Sequence, residues 1–407
     1  MTGPVIVDFR QAKQKRGQVN NNQRRSQRPA ENKLTLLPTS FPILAQMYYE
    51  SFLASYLTDG IGSPSKSWMY NVPHMASHSN KVALELSIQA ASTAFCAMQS
   101  LQLDALQGAR AIYGRALRSQ RKLLSSSPHV TRNSEPQMVC TAMMLSYFES
   151  TYSTTSQGFM WHVEAAAKIL EAAGPEACST GSMNELFFNV RTQMLLVTML
   201  TKKRTFFATR LWVDFPFDGP ERPIFERLID TLTVIVDFIL MTDQELPERR
   251  NLEASELEAT VSEADLLWQA YEVDATVLGI PTRWKDSTGL CQYRDAFAAY
   301  FISLFNASTI LLDVLRERCG LSSTTESVDN ACRSINDCAH FLKEQVVGCS
   351  RVRAILPLMI VAVYGRSEAH RQQAYGYIES WTALGRFGAT CSAVMDTIDR
   401  CWLVSCC

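Results

Sequence analysis

From Phe41 to the end of the chain, apolar residues recur at intervals of three or four, which is the period of an amphipathic helix. An early example is Phe41–Leu57, where the recurring apolar side chains are Leu44, Met47, Tyr48, Phe52 and Tyr56. The alternating pattern that is typical of half-buried strands is not found, and no repeat of fixed period is present. We therefore predict an all-α fold, a large array of antiparallel helices.

The same pattern predicts where the individual helices lie. They are expected over residues 41–57, 79–100, 104–124, 136–152, 158–173, 184–203, 224–241, 262–276, 294–319, 327–348, 355–364, 368–384 and 391–403. Asn184 is expected to cap its helix, and Gly174-Pro175 to end the one before it. Residues 243–265 carry eight acids and two bases, and they are interpreted as a solvated linker or helix face.

The N-terminal segment differs from the rest in composition and charge. Residues 1–40 are rich in Gln, Asn and Arg, so we predict a disordered tail (1–40) ahead of a helical domain (41–407). Residues 1–33 hold eight bases and two acids, a net charge of +6, whereas the whole chain has a net charge of −1. The basic residues that could form a nuclear-import signal or contact phosphates are Lys13, Lys15, Arg16, Arg24, Arg25 and Arg28. A tail that only improves solubility explains them equally well.

The apolar stretches and the cysteines indicate in which cellular compartment the chain is expected. The N-terminus has no secretory signal, and the longest apolar stretches identified are Leu228–Met241, which Asp230 and Asp237 interrupt, and Ile355–Tyr364. Neither reaches the roughly 20 residues of a membrane span, so we predict no transmembrane segment and a location in the nucleus or cytoplasm. The twelve cysteines are expected to be reduced packing residues.

Signatures of metal, cofactor and hydrolytic chemistry are missing from the sequence. No two cysteines are three residues apart, although structural zinc sites usually need that spacing. His74 and His78 are four residues apart, but no third ligand accompanies them. No phosphate-binding or dinucleotide-binding glycine motif and no nucleophile elbow occurs. We therefore predict no metal and no cofactor.

Two polar residues within apolar helices have alternative interpretations. His162 follows Trp161, and it is either a core histidine satisfied by one neighbour or a ligand-binding group. Arg191 lies among apolar residues in the middle of a helix. A buried arginine needs a counter-charge, so Arg191 either forms a structural ion pair or binds the carboxylate of a ligand.

Two segments resemble a known family. Gly158–Pro175 reads GFMWHVEAAAKILEAAGP, and Arg191–Phe217 reads RTQMLLVTMLTKKRTFFATRLWVDFPF. Together they resemble the fungal-specific transcription-factor domain that follows binuclear zinc-cluster DNA-binding heads. The matching positions are Trp161, His162, Gly174, Pro175, Arg191, Arg204, Thr205, Phe206, Trp212, Pro216 and Phe217. Leu356-Pro357-Leu358 also resembles the late leucine-proline helix start of that family.

The resemblance implies a regulatory helical domain, but it does not carry over DNA recognition. Family members begin with a six-cysteine zinc cluster, whereas the first cysteine here is Cys96, inside the helical body. We therefore expect no sequence-specific DNA binding by this chain alone. Implied partners are zinc-cluster transcription factors or a hydrophobic small molecule, and a homodimer is a further expectation.

Three functional hypotheses remain open at this stage. The first is a regulatory or interaction protein without its own DNA-binding head, tied to fungal secondary metabolism and a biosynthetic gene cluster. The second is an enzyme on a repurposed scaffold, a cyclase of pericyclase or Diels–Alder type that folds a hydrophobic terpenoid or polyketide. The third is a degenerate relative without activity. No catalytic residue is assigned; the residues expected to contact a ligand or substrate are Trp161, His162, Arg191 and Trp212.

Overall fold

The computed structural model of the protein describes residues 43–56, 68–76, 82–126, 135–214, 222–244, 250–277, 279–321, 325–345, 348–383 and 388–405. Its helices are α1 Ile43–Tyr56, α2 Val72–Met75, α3 Val82–Ser100, α4 Leu103–Ser126, α5 Glu135–Thr151, α6 Gly158–Ala173, α7 Gly181–Thr201, α8 Arg210–Asp214, α9 Ile224–Gln244, α10 Arg250–Val277, α11 Ala296–Arg318, α12 Thr325–Glu344, α13 Gly348–Tyr364, α14 Glu368–Ala383 and α15 Gly388–Ser405. Short 3-10 helices are Trp68–Asn71, Pro175–Cys178 and Phe206–Ala208. The all-α prediction is confirmed.

Helices that follow one another along the chain pack together, and one apolar core runs through all of the described part. Helix α3 packs on α1, α4 and α5, and α5 packs on α6. Later in the chain α11 packs on α12 and α13, and α13 packs on α14. Helix α9 contacts both α7 and α11. The buried apolar side chains form one cluster from Tyr49 to Ile398, so the described helices share a core.

The tail and its basic clusters lie outside the described residues. Every described residue lies within the unit Leu36–Cys407. The boundary predicted at residue 40 therefore stays a prediction. The six basic residues proposed for import or phosphate contact stay predictions as well.

One small β-hairpin departs from the purely helical expectation. Strands β1 (Arg283–Lys285) and β2 (Cys291–Tyr293) pair in antiparallel register, with Trp284 opposite Gln292. The connecting turn is closed by Asp286, whose Oδ1 accepts hydrogen bonds from Thr288 N at 2.8 Å and Leu290 N at 3.1 Å. Strands of three residues are too short to show an alternating pattern, which is why the sequence did not reveal them.

Two predicted helix starts are corrected. Helix α7 begins at Gly181 rather than Asn184, and Asn184 lies inside its first turn, where its Nδ2 donates to Cys178 O at 2.8 Å. Helix α10 begins at Arg250 rather than Ser262, so much of the acidic segment 243–265 is helical. Acidic residues in the first turns of a helix are compatible with its dipole, so charge alone did not mark a linker.

The start predicted for the helix at residues 355–364, which is α13 in the structure, was also wrong. Helix α13 begins at Gly348, and Pro357 therefore lies inside it rather than at its first turn. A proline there removes one backbone hydrogen bond and usually bends a helix. Leu356 and Leu358 on either side of Pro357 are buried, so tertiary packing favours a continuous helix at this position.

One described helix is longer and more apolar than the stretches singled out from the sequence. Ala296–Arg318 is long and apolar enough to cross a membrane by length and composition, although it was not among the apolar stretches singled out above. However, 83% of its apolar window is buried inside the protein. Burial of that kind is typical of a core helix, and α11 does pack against α9, α12 and α13.

The cysteines that the structure describes form no disulfide. All nine are free, and five of them are buried: Cys140, Cys178, Cys332, Cys338 and Cys391. No group of three or more His, Cys, Asp or Glu side chains that could hold a metal ion occurs among the described residues.

Candidate functional site

A buried arginine is the centre of the first polar cluster. Arg191 lies in the middle of α7 and has no solvent exposure (0%). Its Nη1 forms an ion pair with Asp230 of α9, and its Nη2 donates to Phe207 O at 3.3 Å. Asp230 also pairs with Arg222, whose Nη1 lies 3.4 Å from Val213 O. One carboxylate thus bridges two guanidinium groups and ties α9 to α7 and to the end of α8.

Burial and charge oppose each other in this bridge. Burial raises the pKa of Asp230 to about 6, while Arg191 and Arg222 oppose the shift by stabilising the carboxylate. Burial also raises the pKa of Glu226 to about 7, and the negative charge of Asp230 adds to that effect. The two arginine partners favour the ionised form of Asp230, which both ion pairs require.

An aromatic cluster covers the same arginine. The Arg191 guanidinium carbon lies 5.6 Å from the centre of the Phe187 ring. Trp212 stacks on Phe187 with ring centres 5.8 Å apart, and it meets Phe206 edge to face at 4.9 Å. The Phe207 ring completes the cluster at 5.6 Å from Phe187. Arg191 and Trp212, both predicted to contact a ligand, therefore belong to one interior cluster.

A second ion pair holds the chain between α7 and α8. Arg204 donates in a bidentate manner to Asp237 of α9, from Nε to Oδ1 at 3.0 Å and from Nη2 to Oδ2 at 2.8 Å. Directly after it, Thr205 Oγ1 accepts a bond from Phe207 N at 3.4 Å and caps the 3-10 turn Phe206–Ala208. The paired fork geometry fixes the direction of the turn, so Phe206 and Phe207 point toward the aromatic cluster.

His162 belongs to a different polar cluster, formed by α4, α5 and α6. Its Nε2 lies 2.8 Å from the hydroxyl of Tyr113, and the Tyr113 ring stacks on Phe148 at 4.2 Å between centres. Beside them lies the carboxylate of Glu149, which is fully buried and accepts a hydrogen bond from Thr154 N at 2.8 Å. The interpretation of His162 as a core histidine satisfied by a neighbour agrees with this geometry.

Gly158, the first residue of α6, makes room for that carboxylate. A Cβ atom at position 158 would lie 2.4 Å from Cδ and 2.5 Å from Oε2 of Glu149. Contacts that short are sterically forbidden, so any larger residue would displace Glu149 from its bonds to Thr154. The glycine is therefore needed for close approach rather than for an unusual backbone angle.

The His162 ring is neutral at physiological pH. Burial lowers the pKa of His162 to about 4, and the negative charge of Glu149 only partly offsets that effect. Burial also raises the pKa of the Tyr113 hydroxyl, and the Glu149 carboxylate raises it further. The pair thus consists of a neutral imidazole and a neutral phenol, which share one hydrogen bond.

We expect acid to destabilise the fold through His162. Because the pKa of His162 is about 4 in the folded chain and about 6.5 in the unfolded chain, the unfolded chain binds more protons between these values. Stability is therefore full above about pH 6.5 and falls as the pH drops toward 4. Lowering the pH from 7 to 5 should remove about 2 kcal/mol through this residue.

The measurement is urea denaturation at pH 7 and pH 5 for the unmodified chain and for His162→Gln. The variant lacks an ionisable ring, so its loss between the two pH values should be smaller by about 2 kcal/mol. The carboxylates titrate in both proteins, so their contribution to the pH dependence cancels in the comparison. Equal pH dependence of the two proteins would show that the His162 pKa is not depressed.

The four predicted ligand-contacting residues do not form one cluster. Trp161 and His162 are adjacent in α6 but point in different directions, so that Trp161 is 55% exposed while the His162 ring faces Tyr113. Arg191 and Trp212 lie in the separate cluster around Phe187. The role of all four in ligand binding stays a prediction.

The acidic partners of Arg191 and Arg204 were not predicted from the sequence, although a signal was present. Asp230 and Asp237 interrupt the apolar stretch Leu228–Met241 at a spacing of seven residues, which places them on one face of α9. In the structure Asp230 pairs with Arg191, and Asp237 pairs with Arg204. An acid within an apolar helix calls for a buried counter-charge, and two arginines of the preceding segment supply it.

Comparison with known proteins gives one positive finding. A family model for the fungal specific transcription factor domain matches residues 44–405. No curated protein and no solved structure matches the chain.

Proposed function

Because the chain belongs to the fungal specific transcription factor domain family, whose model spans residues 44–405, we propose that it regulates transcription through contacts with other proteins. The family supports a regulatory role. The finer statement, that protein contacts rather than conversion of a substrate provide the activity, is our proposal.

The internal bridge Arg191–Asp230–Arg222 is the observation that carries this proposal. Arg191 is the buried charge best suited to recognise a ligand carboxylate, yet its counter-charge is a residue of the same chain. Trp212 is 5% exposed and packs among phenylalanines. Arg191 has an internal counter-charge and Trp212 packs in the interior, so we assign the activity to the surfaces of the helical domain.

In this proposal another protein supplies the reading of DNA bases. Base-specific recognition needs an element that reaches base edges, whereas backbone contacts carry no sequence information. Zinc-cluster transcription factors are partners of suitable chemistry, and the nucleus is then the site of action. The basic residues Lys13, Lys15, Arg16, Arg24, Arg25 and Arg28 would serve import or phosphate contact. The genes under control would be those of a secondary-metabolite cluster.

A deletion strain tests the proposal when transcripts and metabolites are measured together. We expect transcripts of a set of biosynthetic genes to change at least about threefold, and the final product to change with them. Complementation with the unmodified chain should restore both. Complementation with a chain in which the six basic tail residues are replaced by Gln tests the import role.

The opposite outcome identifies the enzyme alternative. If transcripts are unchanged and a late polyketide or terpenoid intermediate accumulates, the chain acts as a cyclase and the regulatory proposal is wrong. Unchanged transcripts with an unchanged metabolite profile would also contradict the proposal.

A further inference from the structure

Helix α4 exposes a basic face that includes leucines in heptad spacing. Within Leu103–Ser126 the sequence has one acid, Asp104, and five bases: Arg110, Arg115, Arg118, Arg121 and Lys122. No acidic residue of the described part of the chain forms an ion pair with those five bases. The helix also exposes Leu103, Leu117 and Leu124, which are fourteen and then seven residues apart. We call this set of residues the α4 basic face.

Helix α10 exposes a face of opposite charge. Leu266, Val273 and Val277 are 55%, 60% and 80% exposed, and their spacing of seven and four residues aligns them in one stripe. At about 100° per residue, acids lie on both sides of that stripe. They are Glu263, Asp265, Glu272 and Asp274. Residues 259–277 contain no base, and we call this set the α10 acidic face.

The α10 stripe lies opposite the side of α10 that packs in the fold, whereas the α4 leucines lie beside the packed side of α4. Helix α4 packs chiefly on α3, and α10 packs on α9 and α11. Glu263 of the α10 acidic face forms an ion pair with Arg227 of α9. That pair is between side chains that are 37% and 40% exposed, so it contributes little and leaves the stripe open.

We propose that the α4 basic face of one copy of this chain binds the α10 acidic face of a second copy. Apolar stripes with heptad spacing pack helix on helix, and charges that flank such a seam select the partner. At 1.5 Å per residue, the leucine stripe of α4 is about 31 Å long and the α10 stripe about 16 Å, so the second fits along the first. The bases of α4 lie within its leucine stripe and along one edge of it, so opposite charges meet along that edge of the contact.

The charges favour this pairing over contacts between two identical faces. Two α10 faces would bring acids against acids, and two α4 faces would bring bases against bases, which is unfavourable at close range. Nucleic acid would explain the arginines of α4, but it would leave Leu103, Leu117 and Leu124 without apolar partners. Only the α4–α10 contact matches both the charges and the apolar stripes, and each copy carries both halves.

The contact joins two different faces, which has a consequence for assembly. If both α4–α10 contacts form within one pair of copies, the pair is a symmetric dimer. If each copy uses its two faces on different neighbours, the contact is heterologous and gives a ring or an open chain of copies. Both cases raise the mass in solution with concentration. They are independent of any effect on transcription, so a failure of the regulatory proposal leaves this inference untouched.

The test is sedimentation velocity of the full chain over a range of concentrations, at low salt and at 0.5 M salt. We expect self-association at low salt, and weaker association at high salt because the charges are exposed. Arg110→Glu/Arg121→Glu in α4, and separately Asp265→Lys/Asp274→Lys in α10, should each raise the dissociation constant at least tenfold. Combining all four changes in one chain reverses both faces and should restore the association.

Two controls distinguish this contact from its alternatives. Lys168→Glu with Glu379→Lys changes two exposed charges outside both faces and should leave the association unchanged. Arg24→Gln/Arg25→Gln/Arg28→Gln tests whether the basic tail occupies the α10 acidic face instead, and it too should have no effect. A chain that stays monomeric, that loses association with the tail changes, or that binds duplex DNA through α4 while remaining monomeric overturns the inference.

Discussion

Replacing Asp230 with alanine should lower the free energy of unfolding by about 3–5 kcal/mol. The substitution leaves Arg191 fully buried without its counter-charge, and Arg222 loses the same partner. A buried charge without a partner is far more costly than the small packing defect of a shortened side chain. Urea denaturation followed by circular dichroism measures the loss.

The matched control is a pair near the surface. Glu263→Ala breaks the ion pair with Arg227, whose side chains are 37% and 40% exposed, and should cost no more than about 1 kcal/mol. A second variant, Asp230→Leu combined with Arg191→Met, removes both charges and should recover much of the loss, since apolar side chains replace buried pairs well. If Asp230→Ala costs no more than Glu263→Ala, a bound ligand or solvent must supply the counter-charge of Arg191.

The two tryptophans of the family motif should respond very differently to truncation. Trp212→Ala removes an indole that is 5% exposed and packs against Phe187 and Phe206, so we expect a loss of about 3–5 kcal/mol. Trp161→Ala removes a side chain that is 55% exposed, and the free energy of unfolding should change by about 0.5 kcal/mol or less. Denaturation of the two variants under the same conditions makes the comparison.

A conservative substitution at Trp212 distinguishes the loss of packing in the aromatic cluster from a general failure to fold. Trp212→Phe keeps an aromatic ring in the cluster and should cost clearly less than Trp212→Ala. Comparable losses for the Trp161 and Trp212 alanine variants would contradict the assignment of Trp212 to the interior. A stable Trp161→Ala chain that fails to complement a deletion strain would identify Trp161 as a contact residue on the surface.

Local pattern was sufficient for the positions of most helices but not for their ends. The apolar period predicted α5, α6 and α9 to within a few residues, because the amphipathic face of a helix is written in its own sequence. Helix starts that depend on packing were predicted wrongly. Pro357 was expected to open a helix and instead lies within α13, where the buried leucines beside it favour a continuous element.

By itself the sequence determined that the chain is built of amphipathic helices and belongs to a family recognised by a few motif residues. Both properties reside in short segments, and both are visible without knowing what packs on what. Tertiary structure alone decided that Arg191 meets Asp230, 39 positions away along the chain, and that Trp161 faces outward while His162 faces Tyr113. Those outcomes depend on which helices lie side by side, because a buried charge is satisfied by proximity in space and not by distance along the chain.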